Sequence, residues 1–178
     1  MDTAAVIDLA RKKTRAQFAA ALPNPFLVLS TDGALLGPMQ FRTAVAVPGE
    51  TLPPPAASAN APSVEIIEVC KAPGNPYPDR ISIGRARNCD VVLRDASVSK
   101  LHGHFRTTPG KLEIIDSASH NGTRVNGHAI SPNTATVVLV GDSLVFGRVN
   151  AKLLDAGGVY DMLRLLGTLA TAQANLKP

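Results

Sequence analysis

Between Ile83 and Gly147, three short stretches carry side chains that can grip an oxyanion, spaced as successive loops would be. The first is Ile83-Gly84-Arg85, followed by Asn88 and Asp90-Val91-Val92-Leu93. The second is Ser97-Val98-Ser99-Lys100-Leu101-His102, and the third is Asn121-Gly122-Thr123-Arg124-Val125-Asn126-Gly127. Gly141-Asp142 and Phe146-Gly147 close the series. Arg85 presents a planar guanidinium, which holds a phosphate through two parallel hydrogen bonds. Its bland alternative is a surface ion pair with Asp90. Gly84, just before it, lets the backbone turn and approach closely. Ser99 supplies a short hydroxyl and Lys100 a point charge. Asn121 carries a carboxamide, donor and acceptor at once, which matches the C=O and N–H of an extended peptide.

A second chemistry needs weighing. His102 and His104 lie two residues apart and share a face if they sit on one strand. With Cys70, Cys89 or Asp116 they could ligate zinc. Yet the chain has no Cys-x-x-Cys, no His-Glu-x-x-His and no Walker loop. Nor does His102 have a nucleophile beside it to serve as general base. The expectation is a protein without catalytic residues, metal or cofactor.

Loops of this kind need a rigid frame. Short β-rich runs at 64–69, 80–83, 103–106, 112–115, 136–139, 144–146 and 149–154 alternate with Gly, Pro, Asn and Asp. That rhythm predicts a sandwich or barrel, with no helices for crossovers between parallel strands. Asn126-Gly127 reads as a type I′ hairpin turn. Upstream, an Ala-rich helix is predicted over 3–22, capped by Asp2 or Thr3 and ended by Pro23. Strands follow at 26–29 and 40–45, with Thr31-Asp32-Gly33 as a turn between them. Pro53-Pro54-Pro55 marks 48–63 as a stiff linker. Near the C-terminus, Tyr160, Leu163, Leu166 and Leu169 sit at helical spacing. The predicted organisation is a small helix-and-strand unit (1–47), the linker (48–63), the sandwich (64–155) and a helix with a tail (156–178).

The ordered set of motifs, over roughly residues 63–155, resembles the forkhead-associated (FHA) domain, a family of phosphothreonine-peptide readers. The resemblance implies a mainly β fold, an FHA-like sandwich of two antiparallel sheets with a small α+β N-terminal extension and a C-terminal helix. It implies that Arg85, Ser99, Lys100, His120 and Asn121 bind the phosphopeptide. Lys100 stands where the family often has Arg, keeping the charge but losing the fork. Gly84, His102, Gly122, Thr123, Asn126 and Gly127 are implied to shape the site. His102 in particular resembles the family's loop-bracing histidine. At His120 the family usually has Thr or Ser. Two readings stay open there: the imidazole donates to phosphate, best when protonated, or it points away and leaves one donor fewer.

The function so implied is a phosphothreonine-recognising adaptor in Ser/Thr kinase signalling, its partner a Thr-phosphorylated protein or peptide, a kinase or a kinase substrate. The alternative is a scaffold that has lost phosphate binding and serves assembly alone. Composition excludes other classes. Residues 63–155 hold 11 Lys/Arg against 9 Asp/Glu, too even a balance for a nucleic-acid partner. No stretch is long and apolar enough for a membrane span. Cys70 and Cys89 are too few for a disulfide framework and read as free thiols of a cytoplasmic protein. Thr14, set among Lys12, Lys13 and Arg15, and Thr51 at the linker are either kinase acceptors or ordinary cap and linker residues.

Overall fold

A computed structural model describes residues 3–30 and 64–174 of the 178-residue chain. It begins with two helices, α1 (Thr3–Lys12) and α2 (Arg15–Ala21), where the sequence predicts one. Thr14 makes the break. Its hydroxyl accepts the Gln17 N–H, and the Gln17 side chain takes the Thr14 N–H in return. This capping box starts a new helix rather than continuing the old one. Thr14 is thus a helix cap. Asp2, Thr51, the turn at 31–33, the strand at 40–45 and the linker at 48–63 lie outside the described residues.

The strands are β1 (Phe26–Ser30), β2 (Val64–Glu68), β3 (Arg80–Gly84), β4 (Val91–Val92), β5 (Gly103–Thr108) and β6 (Lys111–Asp116). They continue with β7 (Thr123–Val125), β8 (His128–Ala129), β9 (Thr136–Val138), β10 (Ser143–Phe146) and β11 (Val149–Leu154), and α3 (Ala156–Ala174) follows. Two sheets result, ordered β2-β1-β11-β10-β7-β8 and β4-β3-β5-β6-β9. Pairing is antiparallel but for the short β3–β4 contact, which is parallel. The chain can manage that because the loop after Gly84 doubles back and Leu93 N–H reaches the Gly84 carbonyl.

Leu27, Ile83, Phe105, Ile114, Leu144, Phe146 and Leu153 fill the space between the sheets. Phe105 and Phe146 meet edge to face at 6.4 Å. A second apolar cluster lies on the outer face of the first sheet, where Val6, Phe18, Val159 and Tyr160 of the helices cover Phe26, Val28 and Ile66. Strand β1 serves both, with Leu27 facing one cluster and Phe26 and Val28 the other. A strand buried on both faces reads as an unbroken apolar run, as Phe26-Leu27-Val28-Leu29 does. It pairs with β2 on one side and β11 on the other, so the first described residues are woven into the sandwich.

α3 begins four residues before Tyr160, the first of the apolar residues at helical spacing. Asp155 caps it by accepting the Gly158 N–H at 2.7 Å. Arg15 on α2 makes a two-pronged bond to Asp161 on α3, at 2.9 and 3.0 Å. Gly157 makes room for that guanidinium, since a Cβ there would stand 2.8 Å from Arg15 Nη2. Among the described residues, no helix is long and apolar enough to cross a membrane.

Candidate functional site

The site begins where β3 ends. Gly84 is buried against the loop after β4, and a Cβ on it would lie 2.3 Å from the Lys100 carbonyl oxygen. That closeness lets two segments zip together: Arg85 N–H bonds to the Ser99 carbonyl at 2.9 Å and Ala86 N–H to the Lys100 carbonyl at 3.0 Å. Arg85 also donates its Nε–H to the Val98 carbonyl at 3.1 Å. This pins the stem of an exposed side chain, and both Nη groups are without a partner among the described residues. The Arg85–Asp90 ion pair is not made. The Asp90 carboxylate instead accepts from Ser82 N–H and Oγ, Ala72 N–H and the Asn75 amide. Burial pushes its pKa up, yet those donors bring it below the usual carboxylate range.

Ser99 accepts the His120 N–H on its Oγ at 3.1 Å, which leaves its own hydroxyl hydrogen to donate elsewhere. Lys100 commits its carbonyl to Ala86 and extends an exposed, unpartnered ammonium among the described residues. The His120 imidazole is likewise exposed and without a partner among them. Asn121 donates its amide to the Ser97 carbonyl at 2.7 Å, and its carboxamide oxygen is unpartnered among the described residues. All five residues proposed from sequence for binding therefore lie on the 97–100 loop or are hydrogen-bonded to it.

His102 carries the brace. Ser99 N–H donates to its Nδ1 at 3.2 Å, so the proton sits on Nε2, which donates to the Gly122 carbonyl at 3.2 Å. The ring is fully buried, and both nitrogens are used. Neither is left for a metal, and no group of His, Cys, Asp and Glu among the described residues is placed to hold one. Gly122 has φ +72°, and Asn126 and Gly127 have φ +51° and +84°, the left-handed pair that a type I′ turn demands. Asn126 further clasps its hairpin, donating to Asp142 at 2.8 Å and accepting the Ser143 N–H at 2.9 Å.

Sequence reasoning gave two hubs no bracing role, naming Asp116 only as a possible zinc ligand and Ser97 only as the start of a motif. Asp116, at the end of β6, is buried and accepts from Thr123 Oγ1, Ser119 Oγ and Ser119 N–H, with His102 Nε2 at 3.8 Å. Burial alone pushes its pKa up, but the bonds from Thr123 and Ser119 and the nearby His102 hold it below the usual range. Ser97 is the other hub. Its Oγ donates to Asp95 at 2.6 Å and accepts the Arg148 N–H at 2.9 Å, while its carbonyl takes Asn121. Gly147 packs so close that a Cβ would stand 2.5 Å from the Ser97 carbonyl oxygen. Asp95-x-Ser97 does carry a sequence signal, a short acid bonding its own backbone two residues on.

The brace predicts a pH dependence. Burial depresses the pKa of His102 below its ordinary 6.5, against the opposing pull of Asp116 and Gly122. The unfolded chain then takes up a proton near that pH while the folded chain does not. Stability is therefore full above about pH 6.5 and falls as the pH drops below it. Asp116, depressed from 3.8, adds a further loss at more acid pH. Denaturant titrations between pH 7 and 5 should show the first decline. His102→Ala should cost about 1–3 kcal/mol at pH 7 by stranding the Ser99 N–H and Gly122 carbonyl, and it should flatten that decline. A variant with native stability and no binding would instead make His102 a ligand contact.

Residues 81–147 match the family model described as FHA domain. The oxoglutarate dehydrogenase inhibitor of Corynebacterium glutamicum is 37% identical over 71 residues, which is 40% of this chain and 48% of that protein. The ABC transporter ATP-binding/permease protein Rv1747 of Mycobacterium tuberculosis is 29% identical over 137 residues, 72% of this chain and 14% of that protein. The chain thus spans half or less of the length of these relatives. Among solved structures, the FHA domain of the CT664 protein from Chlamydia trachomatis superposes with a TM-score of 0.45 at 18% identity, covering 74% of this chain and 97% of that one.

Proposed function

Starting from a chain whose residues 81–147 form a forkhead-associated (FHA) domain, we propose that it is a phosphothreonine-reading adaptor in Ser/Thr kinase signalling. One observation carries this reading above the others. Arg85 is held at Nε by the Val98 carbonyl, one residue from the Ser99 hydroxyl, with both Nη groups unengaged among the described residues. A guanidinium fixed at its stem and open at its fork has already lost the freedom that binding would otherwise cost. A phosphothreonine brings about two negative charges and three strong acceptor oxygens to meet it. Arg85, the Ser99 hydroxyl and the Lys100 ammonium take the phosphate, and the exposed His120 imidazole adds an N–H donor. Asn121 holds the peptide backbone through its free carboxamide oxygen and its second N–H.

The reading includes a non-enzymatic, cytoplasmic protein whose phospho-reading module is residues 64–155, with β1 completing one of its sheets. Its partner is a Thr-phosphorylated protein, either a kinase or a kinase substrate. The competing reading, a scaffold without phosphate binding, has only the Lys100 and His120 departures behind it.

Titration with matched phosphothreonine, phosphoserine and unphosphorylated peptides is the test. The phosphothreonine peptide should bind tightest. A single methyl in a fitted notch discriminates by about 10- to 200-fold, and the loops joined at Ser97 around Asn121 are the candidate walls. Equal affinity for phosphothreonine and phosphoserine would overturn the threonine assignment, and equal affinity for the unphosphorylated peptide would favour the scaffold.

A further inference from the structure

The third motif carries Asn-Gly twice, at Asn121-Gly122 and at Asn126-Gly127. Asparagine is thermally labile where its side-chain carbonyl can meet the backbone nitrogen of the next residue, and glycine, with no Cβ, leaves that nitrogen uncovered. Both asparagines are exposed, and the two glycines have φ of +72° and +84°. Neither glycine N–H donates a hydrogen bond among the described residues. The two dipeptides are therefore alike in the attacking nitrogen and differ in the carboxamide.

Asn126 is held at both ends of its carboxamide, Nδ2 donating to Asp142 at 2.8 Å and Oδ1 accepting the Ser143 N–H at 2.9 Å. Both bonds must break before that group can rotate toward Gly127. Asn121 is held at one end only, Nδ2 donating to the Ser97 carbonyl at 2.7 Å, and its Oδ1 has no partner among the described residues. Gly122, in contrast, is fixed. Its carbonyl accepts from the Gly147 N–H at 3.1 Å and from His102 Nε2 at 3.2 Å. A loosely held carboxamide thus sits beside a nitrogen whose residue is pinned in place.

We propose that Asn121 is a site of spontaneous deamidation, and that the product no longer reads a phosphopeptide. The Gly122 nitrogen gives its proton to solvent and attacks Asn121 Cγ, forming an N–Cγ bond. The Cγ–Nδ2 bond breaks, and the leaving nitrogen takes a proton from water and departs as ammonia. Water then opens the cyclic imide at either carbonyl, giving aspartate or isoaspartate. No oxidant or reductant takes part. Aspartate there sets a carboxylate oxygen against the Ser97 carbonyl, where an N–H had donated. It also places a negative charge next to His120, whose N–H meets the Ser99 hydroxyl. Isoaspartate lengthens the main chain by a methylene and displaces the Gly122 carbonyl from His102. A bound peptide slows the change by holding the carboxamide. The loss of binding rests on the phosphopeptide reading above; the deamidation does not.

The test holds the full chain at mildly alkaline pH, folded and in denaturant, and digests it at intervals. Mass spectrometry follows the replacement of NH2 by OH at each asparagine, and chromatography separates aspartate from isoaspartate peptides. In denaturant the two asparagines should convert at similar rates. In the folded chain Asn121 should convert about fivefold faster than Asn126, the worth of one hydrogen bond. A phosphothreonine peptide that the native protein binds should slow Asn121 and leave Asn126 unchanged. Aged protein and Asn121→Asp should each bind that peptide at least about tenfold more weakly, as a like charge at the site requires. If Asn126 converts as fast as Asn121 in the folded chain, or if Asn121 converts only in denaturant, the site is overturned. Conversion at Asn121 with undiminished phosphopeptide affinity overturns the loss of binding, and Asn121 as a peptide contact with it. If the native protein binds no phosphopeptide, the phospho-reading function falls, and the mass comparison alone decides the modification.

Discussion

Arg85→Ala is expected to abolish the proposed phosphopeptide binding and to leave the domain folded. The side chain is exposed and, among the described residues, makes a single internal hydrogen bond, Nε–H to the Val98 carbonyl, so its removal uncovers no core. What it takes away is the planar cation beside the Ser99 hydroxyl. Losing a charge-assisted contact to a dianion costs about 2–5 kcal/mol, which is about 30-fold to more than 1000-fold in affinity. Arg85→Lys should fall between, since an ammonium restores the charge but not the two parallel bonds. Calorimetry with a peptide that the native protein binds, beside a thermal melt, separates the two effects. Unchanged affinity in Arg85→Ala would remove the phosphate-site assignment. A collapsed melting temperature would mean that Arg85 holds the loop together rather than the ligand.

Arg85, Ser99 and Asn121 stood out in the sequence as candidates because the motif set resembles the FHA family and each side chain carries its chemistry with it. A guanidinium, a hydroxyl and a carboxamide after strand-like runs can be interpreted before any fold is known. The supporting acids were not legible in that way. Asp116 closes a strand and resembles any acid before a turn until the chain brings Thr123, Ser119 and His102 around it. Asp90 likewise becomes a staple only when the 72–75 segment folds over it. Strand β1 shows the same limit at the level of topology. Its apolar run marked a buried strand, but nothing local says that residues 26–30 insert between β2 and β11, some 40 and 120 residues away. By contrast, the break between α1 and α2 had a local signal that went unread. Thr14-x-x-Gln17 is a capping box in the sequence itself.

Gly84→Ala is expected to be the larger blow to stability, and its surroundings explain why a glycine precedes the proposed phosphate-binding arginine. The added Cβ would stand 2.3 Å from the Lys100 carbonyl oxygen and 2.9 Å from its carbon. Both are backbone atoms, so no side-chain rotation relieves the clash. The Ser99–Lys100 segment must move away, and with it go the Arg85 N–H to Ser99 and Ala86 N–H to Lys100 bonds. Overpacking of this kind costs about 1–3 kcal/mol, and each of the two hydrogen bonds lost adds about 1 kcal/mol, for about 3–5 kcal/mol together. The same movement parts Arg85 from the Ser99 hydroxyl. Binding should therefore be lost even at temperatures where the variant is folded, although every proposed ligand-contacting side chain is still present. Gly74→Ala is the control for handling a glycine at all: its φ of +94° disfavours any side chain, but a Cβ there meets nothing within 4 Å. It should lower stability modestly and leave phosphate binding intact. If Gly84→Ala melts and binds as the native protein does, the two segments are not packed as described, and the preorganisation of Arg85 by the 97–100 loop is wrong.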